Sequence, residues 1–326
     1  MTNHQDVYIH NYKIIEKLGH GAFSTVFKGL HRINQKTVAL KVSREKQTHE
    51  TKILAYLNRE CVDGVPTLFW YGRVGDNTCI ATTFYKNTFV SHVESIWAND
   101  LYPHLKILNI CVQLISLLEN VHAAFIVHSD IKPDNFMVDE KKHVILIDFG
   151  LSSLYYNAEK NVYKENKQCE HLIGSPKFAS YNLHAGHSVS PRDDLMSLVY
   201  MMISLFNKEI PWSKAQKVQP TEPTDKAQKV QPTEPTDKAQ KAQPTEPTDK
   251  APFQEPTEPT DLPPYHVEHH ANLKRARLKR DLGQYLRGLG DTYIDKYLIP
   301  FFDHVSSLEF GETPDYKLYR QIFSTL

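Results

Sequence analysis

The chain has 326 residues, with 38 basic and 38 acidic side chains and a formal net charge of zero. That length suits one large domain or two lobes around a substantial core. The charge balance selects neither nucleic acid nor a membrane as partner. Cys61, Cys79, Cys111 and Cys169 are scattered without a C-x-x-C pair, which argues against a disulfide framework or zinc site and for a reducing compartment.

From the N-terminus, Tyr12–Leu18, Ser24–His31 and Thr37–Val42 have the composition of strands, with INQKT as a turn between the last two. Gln47–Arg59 reads as a helix. Beyond it the spacing becomes helical: in LKILNICVQLISLLENVH, Ile107, Ile110, Cys111, Leu114, Leu118 and Val121 share one face. The expected fold class is α+β, a small β-rich lobe before a larger helical one. The first thirty residues lack a basic segment followed by an apolar run, so no secretory leader is expected. The most apolar run, Leu195–Phe206, has twelve residues. A membrane span needs about 20, so this reads as a buried core helix.

Chemistry begins in LGHGAFSTV. Gly19, Gly21, Ser24 and Val26 follow G-x-G-x-x-G-x-V with serine at the third glycine. Glycines let backbone N–H groups approach phosphate oxygens closely, although a plain β-turn has the same composition. Lys41 follows in VALKV, and an ammonium among apolar strand residues is expensive unless paired. It is expected to hold the α and β phosphates and to pair with an acid on the next helix. Glu50 is the better candidate and Glu45 the alternative.

In VHSDIKPDNF, Asp130 and Asn135 stand five apart, as in H-x-D-x-x-x-x-N. Asp130 is placed to accept or orient the proton of an incoming hydroxyl. Lys132 can neutralise charge on the transferred phosphoryl group, and Asn135 can take a magnesium ion. Eighteen residues after Asp130, LIDFG supplies Asp148, expected to hold the magnesium at the β and γ phosphates while Asn135 takes the second, with Phe149 and Gly150 turning the loop. Hard Mg²⁺ suits these oxygen donors. In this order and spacing the pieces imply a protein kinase fold that uses ATP and Mg²⁺.

The resemblance narrows further. HETKI, GVPTLFWYGRVGDNTCI, GSPKFASYN in place of Ala-Pro-Glu, PRDDLMSL and SLEFGETPDYKLYRQIF are similar to segments of the casein kinase I family. The likeness runs from about Tyr12 to the C-terminus, interrupted by repeats. It implies a bilobal Ser/Thr protein kinase acting on protein substrates, with a preference for acidic or phosphorylated ones. It also implies that Asp194 ties down the catalytic-loop backbone. Leu18 and Ala39 fall at cofactor-binding positions, Thr82 at the back of the adenine pocket, and Thr83–Tyr85 at the hinge. IATTFYKN departs there from the family's apolar-acidic pattern. Lys177 and Arg192 match positions of a substrate anion site. Short kinases of this family with expandable repeats suggest a large DNA virus. A cytoplasmic monomer that binds neither nucleic acid nor membrane is expected.

Ser129 stands where most kinases have arginine. That arginine binds a phosphate on the activation loop, and serine cannot make the bidentate pair. An enzyme independent of that switch is expected.

Four twelve-residue copies, from KAQKVQPTEPTD to KAPFQEPTEPTD, fill Lys214–Asp261. They have almost nothing apolar to bury, so they read as a disordered insertion, with a Pro-x-x-Pro docking ligand as the other reading. The expected division is 12–86 for the N-lobe, 87–213 and 262–326 for the C-lobe, and 214–261 for the insertion. His266, His269 and His270 lack H-E-x-x-H spacing and read as a polar loop. The run LKRARLKR, with Lys274, Arg275, Arg277, Lys279 and Arg280, reads as a solvated helix face. Anion binding, nuclear import or a nucleic-acid patch are its alternatives. Two other functions compete: a pseudokinase scaffold, though Lys41, Asp130, Asn135 and Asp148 are intact, and a small-molecule phosphotransferase, though Lys132 and GSPKFAS favour a peptide.

Overall fold

The computed structural model describes residues 6–21, 24–44, 47–157, 162–169, 171–213 and 279–324. The repeats, the histidine cluster and most of the basic run lie outside these residues. Strands β1 (Tyr8–Ile9), β2 (Tyr12–His20), β3 (Ser24–His31), β4 (Thr37–Ser43), β5 (Leu68–Val74) and β6 (Asn77–Thr83) form one antiparallel sheet in the order β1-β2-β3-β4-β6-β5. β2 runs two residues past the expected Leu18, because register shifts keep Gly19 and His20 paired with Val26 and Thr25. Val38, Leu40, Cys79 and Ala81 build a small apolar core on this sheet.

Helix α1 (Thr48–Arg59) follows β4, with Gln47 just ahead of its first turn. Its buried residues are Glu50, Ile53, Leu54 and Leu57. The three aliphatic ones join the core of the second lobe rather than that of the sheet. The helix carrying Glu50 is therefore held by packing across the two lobes.

The chain leaves β6 at Thr83 and enters β7 (Asn87–Thr88), which pairs with β9 below. Residues 84–86 thus connect the two sheets. Helices α2 (Phe89–Asn99) and α3 (Pro103–Ala123) follow. Ile107, Ile110, Cys111, Leu114, Leu118 and Val121 are all buried, as their spacing requires. The short strands β8 (Ile126–Val127), β9 (Phe136–Val138) and β10 (Val144–Leu146) carry the catalytic-loop residues between them. β11 (Ser153–Leu154) pairs with β8, and β12 (Tyr156–Asn157) with β13 (Val162–Tyr163).

α4 (Tyr181–His184) precedes α5 (Pro191–Leu205). α5 is buried on every side except at Ser204, which fits its apolar run. Its start is fixed by Pro191 in the first turn and by a capping box in which the Asp193 carboxylate accepts from the Ser190 backbone N–H at 2.9 Å. Helices α6 (Leu282–Gly288), α7 (Ile299–Ser307) and α8 (Tyr316–Ser324) close the second lobe, with a π-helical turn at Ile294–Leu298 before α7. No helix among the described residues is long and apolar enough to cross a membrane.

Candidate active site

Lys41 lies in the middle of β4, and α1 brings Glu50 beside it. The Lys41 ammonium donates to Glu50 at 2.8 Å and to Asp148 at 2.7 Å. Burial alone would lower the Lys41 pKa, but the two carboxylates outweigh it and hold the ammonium above its ordinary value. The opposite balance acts on Glu50: burial raises its pKa, and Lys41 offsets only part of that. Asp148 keeps 47 % of its side chain exposed to the cleft. Burial tends to raise its pKa, but the charge and hydrogen bond of Lys41 bring it below the usual carboxylate value. Of the two acids considered for Lys41, Glu50 makes the pair; Glu45 lies outside the described residues.

Asp148 adopts a left-handed backbone at φ 64°. This turn sends Phe149 into the core, fully buried, edge-on to His128 at 5.1 Å. Non-glycine residues rarely take such angles without surrounding packing to hold them.

The second group is built on the loop between β8 and β9. Lys132 donates to Asp130 at 2.6 Å and to the Ser175 hydroxyl at 2.9 Å. The Ser175 backbone N–H donates to the other Asp130 oxygen at 2.8 Å. Burial would raise the Asp130 pKa, but Lys132 and Ser175 together depress it. The Asn135 amide nitrogen donates to the Asp130 carbonyl at 2.8 Å and to its carboxylate at 3.1 Å. With its nitrogen so committed, Asn135 has its amide oxygen left as a metal donor.

The loop itself is held from below. Asp194, near the start of α5, accepts from the backbone N–H of His128 at 2.6 Å and of Ser129 at 2.9 Å. These are the bonds expected of Asp194. His122 on α3 lies 3.0 Å from the same carboxylate through Nε2, and its Nδ1 bonds the Tyr316 hydroxyl at the start of α8. A carboxylate only accepts, so a neutral His122 donates from Nε2 and accepts from Tyr316 at Nδ1.

Ser129 sits at φ 70°, 5 % exposed, and its hydroxyl has no hydrogen-bond partner among the described residues. Gly174, at φ 83°, lies against it; a Cβ there would come within 2.3 Å of the Ser129 carbonyl oxygen. Only glycine allows this approach, and the approach delivers Ser175 to Asp130.

Ala39 pairs with Thr82 across β4 and β6, and Val38 with Thr83. Tyr85 is half-buried beyond them. Leu18 is 45 % exposed at the edge of the cleft. Gly19 and Gly21 meet nothing among the described residues where a Cβ would stand, and neither has a positive φ.

Two expectations need correction. Arg192 is not an open anion site: it is 9 % exposed, donates to the Leu308 carbonyl at 3.3 Å and lies over the Phe310 ring. The C-terminal segment covers its guanidinium, whose Nε has no hydrogen-bond partner among the described residues, whereas Lys177 is only half-buried. Nor is Lys279 part of a solvated face. It is 2 % exposed, although its neighbour Arg280 is exposed. Sequence reasoning also missed Ser175, His122 and Tyr316. A histidine beside Val121 at the end of an apolar helical face was the available signal for the second; nothing local marked Tyr316.

Lys41 with Asp148, and Lys132 and Asn135 with Asp130, form two hydrogen-bonded groups, the kinds of side chain that phosphoryl transfer uses. Residues 12–257 match the family model of the protein kinase domain. The match takes in well over half of the 326 residues. The chain belongs to the protein kinase family, whose members transfer phosphate from ATP to proteins.

Proposed function

We propose that the chain is a serine/threonine protein kinase of the casein kinase I type, selective for acidic or phosphorylated substrates. It acts without activation-loop phosphorylation. The observation that carries the reading is the contact of Asp130 with both Lys132 and Ser175, which places the catalytic loop directly against the segment GSPKFAS.

In this reading Asp130 accepts the hydroxyl proton of the substrate and Lys132 offsets charge at the transferred group. Lys41, positioned by Glu50, holds the α and β phosphates. Asp148 and the Asn135 oxygen would hold Mg²⁺, which would supply positive charge against that developing on the phosphates; an all-oxygen donor set fits a hard cation. Nothing in the packing of the described residues requires glycine at 19 or 21, so a closely approaching phosphate group is the better reason for both. Leu18, Val26 and Ala39 would enclose the base, with Thr82 behind it and Thr83–Tyr85 as the hinge. Ser24 completes the phosphate loop. The lobes would divide at residues 86 and 87, with 214–261 as an insertion into the second. Lys177 carries the acidic preference. Arg192 contributes to it only through packing.

The buried Ser129 hydroxyl, unpartnered among the described residues, supports independence from a loop phosphate, since a serine carries no positive charge to receive one. The test is transfer of labelled phosphate from ATP with Mg²⁺ to casein, beside Asp130→Asn and Lys41→Met, with phosphoamino-acid analysis. Label on serine or threonine that both variants lose is the expected result. Label on tyrosine would overturn the specificity. ATP binding without any transfer would leave a scaffold.

A further inference from the structure

GSPKFAS is fixed at almost every residue, and two of its holds come from residues on either side of 214–278. Trp212 donates its indole N–H to the Lys177 carbonyl at 2.7 Å. The Lys279 ammonium donates to the carbonyls of Pro176, at 3.1 Å, and of Ala179. It lies 3.1 Å from His184 Nε2, 4.9 Å from the Tyr200 ring centroid and 5.2 Å from that of Trp212. Tyr200 and Trp212 meet edge to face at 4.8 Å, and both are essentially fully buried. Ser180 is tied at the far end, donating to Asp193.

A lysine enclosed by aromatic rings gains cation–π attraction that strengthens when desolvated. Its three donors are directional, so carbonyls they engage have little freedom. The carbonyls held are those of residues 176, 177 and 179, which bracket the Lys177 side chain. None of these atoms touches Lys41, Asp130 or Asp148.

We propose that Lys279, with Trp212, is a positioning and specificity-determining residue for the protein substrate. Lys279 clamps the carbonyls of Pro176 and Ala179 and Trp212 that of Lys177, and together they fix the surface that receives the peptide and the direction of Lys177. It does not act on phosphoryl transfer. The proposal rests on the reading of GSPKFAS as the peptide platform.

The experiment is steady-state transfer by the full chain to two matched serine peptides, one acidic and one neutral. Wild type is compared with Lys279→Met, Lys279→Arg and Trp212→Phe. Peptide-independent ATP hydrolysis and the melting shift caused by ATP are measured beside it. In Lys279→Met the KM for the acidic peptide should rise about tenfold, the size of one lost charge-assisted contact. The KM for ATP and the basal hydrolysis should stay unchanged, and Lys279→Arg should recover part of the loss. Trp212→Phe should shift the peptide KM in the same direction. An unchanged peptide KM in a folded Lys279→Met overturns the proposal, as does an equal rise in both KM values. If Lys279→Met does not fold, unchanged peptide KM values in Lys279→Arg and Trp212→Phe overturn it instead. A wild type that does not discriminate between the peptides removes the acidic preference. The clamp is then judged on the neutral peptide by the same KM comparison.

Discussion

At the scale of single residues, charge pairing sets the site. Asp130 is held ionised by Lys132 and Ser175, and Asp148 by Lys41, so both are ready acceptors near neutral pH. Asp130→Asn keeps the shape but removes proton acceptance. The loss expected for a general base is on the order of 10²–10⁴-fold in kcat, measurable as labelled phosphate transferred, with ATP still raising the melting temperature. Gly174 makes a second case. Gly174→Ala would combine a left-handed backbone with a contact against the Ser129 carbonyl. A cost of about 1–3 kcal/mol is expected from that strain, read by urea unfolding, together with reduced transfer as Ser175 withdraws from Asp130. Ser129→Ala removes a hydroxyl without a partner and should leave transfer unchanged, as should prior phosphatase treatment.

Helices and strands decide how those residues meet. α1 draws its apolar residues into the core of the second lobe while Glu50 reaches Lys41 on the sheet. Burial raises the Glu50 pKa, so on acidification Glu50 takes a proton before Asp130 or Asp148 does. Activity should therefore begin to fall above the ordinary glutamate range of about 4.3, as the pair with Lys41 loses its charge. The sign for stability is opposite. A raised folded pKa means that the native state binds this proton more tightly, so protonation of Glu50 does not itself destabilise the fold. Its partners differ: depressed carboxylates contribute stability that is lost only as pH falls through their lower values. A pH profile of kcat/KM beside urea unfolding at each pH separates the two, and an acid limb below pH 4 would contradict the Glu50 assignment. At the far side, α8 supports the catalytic loop through Tyr316, His122 and Asp194. Tyr316→Phe strips a donor from a buried ring nitrogen, for which about 1–3 kcal/mol is the usual cost, again measured by urea unfolding.

Across the whole molecule, every contact described at the site is made by residues outside 214–261. Deleting that segment should therefore leave ATP-dependent transfer and the melting shift with ATP unchanged. Loss of transfer on deletion would place part of the catalytic apparatus within it.

Lys41, Asp130, Lys132, Asn135 and Asp148 could be singled out in the chain because each sits in a short motif, and the structure joins them in hydrogen-bonded groups; the phosphate and metal roles are what we propose for them. The helical spacing of α3 and the apolar run of α5 were legible for a similar reason, since local periodicity records which face is buried. What the sequence could not show is which distant side chains those motifs lean on. Lys279 stands in a run of cations that reads as solvent-facing, yet tertiary packing closes Tyr200 and Trp212 around it. Arg192 has a position that invites an anion, yet the C-terminal segment covers it. Local pattern determines where charge and apolar surface fall along an element. Only the packing of the second lobe decides which of those charges remain in water, because burial depends on elements more than a hundred residues apart in the chain, as Arg192 and Leu308 are.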